Sequence, residues 1–119
     1  MALLKPPAGQ IVTLSPGDIT LLTPALLTAP GNSLVFAIMR GPGSTAPLLS
    51  LWAQGTATVV TATLQVSFDG GTTWGTYGSS SALALYNNSQ QIQVVPGPLY
   101  RVDVTTLTGT NANLYAAVS

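Results

Sequence analysis

The chain has no cysteine, no histidine and no glutamate among its 119 residues, and only 5% of it is charged. Each absence excludes a chemistry. Without cysteine there is neither a disulfide framework nor a thiolate metal site. Without histidine the chain lacks both the commonest general base and the commonest nitrogen ligand for zinc. Three acids remain: Asp18, Asp69 and Asp103. Asp18 and Asp69 fall in turn sequences, and Asp103 lies two residues from Arg101, so no two acids converge as glycosidic hydrolysis requires. Gly41-Pro42-Gly43 opens no helix, which argues against a phosphate loop. There is also no Asp-x-Asp ladder for calcium. The expectation is a protein that is not an enzyme, with no catalytic residues, no metal site and no cofactor.

Scarcity of charge also bears on partners. Lys5, Arg40 and Arg101 balance the three aspartates to a formal net charge of zero, whereas globular domains usually carry roughly 25% charged residues. This argues against nucleic acid as a partner, since its phosphates demand a basic surface. Free monomers use charge to stay apart. A neutral surface rich in Thr, Ser, Ala and Gly therefore predicts a homo-oligomer, or a chain covered by neighbours. Membrane insertion is not expected either. The most apolar stretch, residues 19–29, is broken by Pro24 and too short to span a bilayer. Pro6, Pro7 and Gly9 follow Lys5 where a signal peptide would have its apolar centre.

What the chain has in quantity is turn chemistry, with 12 glycines and 9 prolines. Residues 1–9 read as an extended N-terminal arm, because Pro6-Pro7 removes two backbone donors. Residues 10–119 read as one all-β domain, an antiparallel sandwich or jelly roll of nine or ten short strands. Strands are predicted over 10–14, over 19–22 and 25–28 as two pieces of one strand around Pro24, and over 33–39, 48–54, 60–68, 72–77, 82–86, 90–95, 99–107 and 112–118. A short helix over 24–27 is the alternative to one of them, since proline suits a first helical position. Residues 60–68 alternate without a break: Val60, Ala62, Leu64, Val66 and Phe68 form one apolar face. In 99–107, Tyr100, Val102 and Val104 point inward, and Arg101 and Asp103 share the outer face, where they are placed to pair. Thr108-Gly109-Thr110-Asn111 is expected to turn the last hairpin. Both faces of 33–39 are apolar, which makes Val35 and Met39 candidate subunit contacts beside Lys5, Pro6 and Pro7 of the arm. The loop 40–47 is expected to be flexible and the most available for external contact.

The strand 60–68 runs into Ser67-x-Asp69-x-Gly71-x-Thr73-Trp74. Glycine supplies the positive φ of a tight hairpin, and aspartate readily binds its own downstream backbone N–H groups. This segment resembles the Asp-box of bacterial sialidases and related β-proteins. The resemblance implies a structural role: Asp69 ties down the turn and Trp74 packs across it. The box occurs once, and the chain lacks the arginine cluster and the acids of those enzymes, so it is read as a staple.

Over residues 50–119, the order of box hairpin, middle strand pair, Pro96-Gly97-Pro98 corner and Tyr100-Arg101-Val102 resembles small tailed-bacteriophage virion proteins. The matching pieces are residues 64–74 and 96–104. That resemblance implies a virion location and a non-enzymatic structural role. The role would be a capsid decoration (cement) protein, often trimeric, bridging copies of a major capsid protein or another virion protein; a neck, tail or baseplate component is similar in style. On this reading residues 1–10 order only across a neighbouring subunit. A carbohydrate-binding β-sandwich module is the competing class, because Trp52, Trp74, Tyr77, Tyr86, Tyr100 and Tyr115 offer flat rings for sugar faces. Trp74 and Tyr100 fall in core patterns, leaving Tyr77 and Tyr86, beside loops, as the candidate glycan contacts.

Overall fold

The computed structural model describes residues 3–39 and 47–118. The loop expected over 40–47 lies almost wholly outside the described residues. Among them there are ten strands and no helix: β1 (Leu3–Leu4), β2 (Val12–Leu14), β3 (Ile19–Leu21), β4 (Gly31–Asn32), β5 (Phe36–Ile38), β6 (Leu48–Ser67), β7 (Gly75–Thr76), β8 (Leu83–Ala84), β9 (Gln90–Gln93) and β10 (Leu99–Val118). All ten belong to one curled, mixed sheet.

Two strands of 20 residues each organise it. β6 and β10 run antiparallel from Ser67↔Leu99 to Leu49↔Val118. The free side of β10 takes β5 and β4 along its first half and β3 along its second. The free side of β6 takes β9, β8 and β7. β1 adds to β3 and β2 to β5, both in parallel. The sheet is therefore mixed, where the turn pattern had suggested antiparallel pairing throughout.

The expected hairpin turn at Thr108-Gly109-Thr110-Asn111 does not form. The chain continues through it, and the strands predicted over 48–54 and 60–68 likewise fuse into β6. Glycines make this bend without ending either strand. The register slips between Val104 and Thr106, between Thr108 and Gly109, and between Gly109 and Ala112. Gly55 (φ 146°) and Gly109 (φ 108°) lie within this stretch. A Cβ on Gly109 would lie 2.7 Å from Ala57 Cα, and one on Gly55 would lie 2.6 Å from Asn111 O. The backbones come closer here than side chains allow, which lets two long strands bend and curl the sheet.

Alternation fills the core on either side of the bend. Leu49, Leu51, Ala53 and Ala57 point inward from the first half of β6, and Val60, Ala62, Leu64 and Val66 from the second. Tyr100, Val102, Val104, Ala112, Leu114, Ala116 and Val118 do so from β10. Phe36 stacks on Tyr100 with ring centres 6.0 Å apart, and Tyr77 meets Tyr100 edge-on at 5.4 Å. The Tyr100 hydroxyl donates to Val95 O (2.9 Å) and accepts from Val95 N (3.2 Å); burial pushes its pKa up to about 12.

Buried hydroxyls complete the ladder where neighbouring strands are too short. Thr23 Oγ1 accepts Leu114 N–H at 3.2 Å and donates to Asn113 Oδ1 at 3.0 Å. Ser33 Oγ accepts Val102 N–H at 2.9 Å. Among the described residues no buried side-chain polar atom lacks a partner.

Other sequence expectations shift locally. Residues 25–28 form neither strand nor helix; Leu27 alone bridges Ala112 through two backbone bonds of 3.0 Å. The arm docks on its own chain, since Leu3 and Leu4 pair with Ile19 and Thr20. Phe68, assigned to the apolar face of 60–68, is 77% exposed, while its neighbour Ser67 is buried.

Candidate functional site

The reversal at residues 67–68 is caused by the box hairpin. Asp69 Oδ1 accepts three hydrogen bonds, from the Ser67 hydroxyl (2.7 Å), Thr72 N–H (3.1 Å) and Thr73 N–H (2.9 Å). Oδ2 accepts the Thr73 hydroxyl at 2.6 Å. Ser67 Oγ accepts Gly71 N–H at 2.8 Å, so Ser67 must turn into the hairpin and strict alternation ends there. Gly70 and Gly71 take positive φ, 75° and 96°. The Thr73 hydroxyl above all, then the Thr73 N–H and the Ser67 hydroxyl, lower the Asp69 pKa to about 2. Four hydrogen bonds, three on Oδ1 and one on Oδ2, commit this carboxylate to holding the turn.

Trp74 connects this hairpin to the sheet. Its ring lies beneath the Arg101 guanidinium, 4.4 Å from ring centre to Cζ. Arg101 Nε donates to Gln65 Oε1 at 2.7 Å. The cation anticipated to pair with Asp103 is thus held by Gln65 and Trp74. Val66, Phe68, Asp69, Thr73 and Trp74 line a shallow depression of about 400 Å³ beside the hairpin.

The predicted partner contacts lie apart in the topology. Lys5, Pro6 and Pro7 follow β1 at one end of the strand path β1-β3-β10-β5-β2, and Met39 leaves β5 beside β2 at the other. Met39 is 48% exposed and Ile11, just before β2, is 56% exposed. Val35 is only half-buried, and its carbonyl accepts Val12 N–H at 3.0 Å. The two tyrosines singled out for glycans are both half-buried against the core. Tyr77 spends its hydroxyl on Gln93 O at 3.1 Å, and Tyr86 bridges to Ala53.

Trp52, another of the six rings named above, is half-buried like the two tyrosines. Trp52 pairs directly with Tyr115 across β6 and β10, and their rings lie nearly parallel (13°) with centres 5.9 Å apart. Beside Trp52 is a depression of about 450 Å³ that is also lined by Gln54, Asn87, Asn88 and Ser89. Leu49, Leu51 and Ala53 point inward, so Trp52 between them points outward. The bridge bringing residues 87–89 alongside it joins positions far apart in the chain.

Among the described residues no group of three or more acidic side chains is placed to hold a metal ion, and no helix is long and apolar enough to cross a membrane. No protein-family model, curated protein or solved structure matches this chain.

Proposed function

We propose that the chain is a non-enzymatic structural protein of a virion, of the capsid-decoration type, built as a sandwich whose outermost strands join it to copies of itself and to a capsid protein. One observation carries this reading. At both ends of the strand path, large apolar side chains stand in solvent: Leu3 (50% exposed) and Leu4 on β1, and Ile11 and Met39 beside β2. Monomeric β-proteins usually protect outer strands with charge. Here Lys5, after β1, is the one cation within residues 3–39, and β2 carries no charge. Open strand edges with apolar flanks suit strand addition by a neighbour, in which main-chain hydrogen bonds supply affinity and side chains supply register.

The sandwich is supported by contacts that connect the two halves of the sheet. Tyr77, beside the second half of β6, reaches Gln93 of β9, which pairs with the first half. A trimer fits two different outer edges, since a head-to-tail contact that closes forms a ring.

The test is the solution mass of the purified chain by light scattering on a sizing column. A mass near three chains is expected, falling to one chain in Met39→Asp and Ile11→Asp. A monomer at all concentrations overturns the reading. Deletion of residues 1–9 should abolish incorporation into particles, and unchanged occupancy would remove the arm from the interface.

A further inference from the structure

We propose that the depression around Trp52 binds a neutral saccharide. It lies on the face of a central strand rather than at either open edge, so it stands independently of the assembly reading.

The platform is fixed before any ligand arrives. Trp52 is braced by Tyr115, its direct cross-strand partner, with ring planes 13° apart. The opposite wall is fixed as well. Asn87 N–H donates to Ala53 O at 3.1 Å, Asn88 N–H to Leu85 O at 3.3 Å, and Asn88 Nδ2 to Ala84 O at 3.1 Å. Asn87 takes φ 50°, a conformation that asparagine tolerates better than most residues. The turn at 87–89 is thus tied to the residue next to Trp52 in β6.

The lining is one flat ring, three primary amides and a hydroxyl, with no charge. Sugars present weakly polar C–H faces to aromatic rings and a rim of neighbouring hydroxyls. An amide both donates and accepts, so it can serve two adjacent hydroxyls. No group among the described residues hydrogen-bonds the Gln54 or Asn87 side chain, so both amides are available. About 450 Å³ is within the usual range for small-ligand sites. A nucleotide or sulfated sugar would need a cation that the lining lacks. A purely apolar peptide would leave the Gln54 and Asn87 amides without partners.

The test is calorimetry on the full chain with cellohexaose, maltohexaose and chitohexaose, and with a sulfated hexasaccharide and a proline-rich peptide as contrasts. At least one neutral hexasaccharide should bind. Trp52→Ala should weaken it about tenfold or more, Trp52→Phe less, and Gln54→Ala severalfold. Circular dichroism checks each variant for folding. If Trp52→Ala does not fold, Gln54→Ala and Asn87→Gly, which keeps the left-handed backbone, decide the matter. The proposal is overturned if no neutral sugar binds at millimolar concentration, if only the sulfated sugar or the peptide binds, or if the folded variants bind as the parent does.

Discussion

Arg101 lies over Trp74, with its guanidinium carbon 4.4 Å from the ring centre, and donates through Nε to Gln65. One side chain on β10 therefore joins the end of β6 to the residue that leads into β7. Removing it takes away a cation–π contact and a charge-assisted hydrogen bond at a half-exposed site. Arg101→Ala should lower stability by about 1–2 kcal/mol in urea unfolding. Arg101→Lys should recover only part, because an ammonium lacks the planar fork.

Asp69 gives the hairpin a dependence on pH. Its pKa falls from an ordinary 3.8 to about 2 in the folded chain. A lowered folded value means that the ionised carboxylate stabilises the fold; this contribution is full above the unfolded pKa and is lost as pH falls through the folded one. Urea midpoints should therefore drop between about pH 4 and pH 2. Asp69→Asn should flatten that decline, and an Asp69 carboxyl titrating near 4 by NMR would contradict the geometry.

The bend in the ribbon makes a sharper demand. Gly109→Ala and Gly55→Ala each push a methyl group into opposing backbone and force a positive φ on alanine. Each should cost about 2–4 kcal/mol. Gly70→Ala is the control: its φ is also positive, at 75°, but a Cβ there meets nothing within 4 Å. It should cost about 1–2 kcal/mol, from the left-handed backbone alone.

Thr23 tests the hydroxyls that complete the ladder. Thr23→Val keeps the shape but removes the acceptor of Leu114 N–H. An orphaned buried donor costs about 1–3 kcal/mol, and amide exchange at Leu114 should accelerate relative to Ala116.

Phe68 shows how far the sequence was legible. Alternation placed Val60, Ala62, Leu64, Val66, Tyr100, Val102 and Val104 inward, and all are buried. It failed at Phe68 because the hydroxyl of Ser67 is required inside the turn, which a count of apolar residues does not register. Gly109 misled in the opposite way. Thr-Gly-Thr-Asn has the composition of a turn, yet in this chain the glycine serves close strand approach. Nothing local distinguishes the two uses; the partner at Ala57 does. The Asp69 network was readable because all its bonds fall within residues 67–73. The Trp52 site was half readable: its outward ring follows from parity, but its amide wall depends on a long-range bridge.

The pairing of β6 with β10 also has a consequence for how the chain reaches its fold. Ser67 meets Leu99, and from there partners separate steadily until Leu49 meets Val118. No tight turn joins the two strands, so even their nearest pair encloses everything from Phe68 to Pro98. The ribbon therefore cannot zip up from a local nucleus, and loop-closure entropy must be met before the longest ladder contributes. Refolding should fall in the slow range of non-local β-topologies, milliseconds to seconds. The self-contained box hairpin should be structured ahead of the strands it decorates.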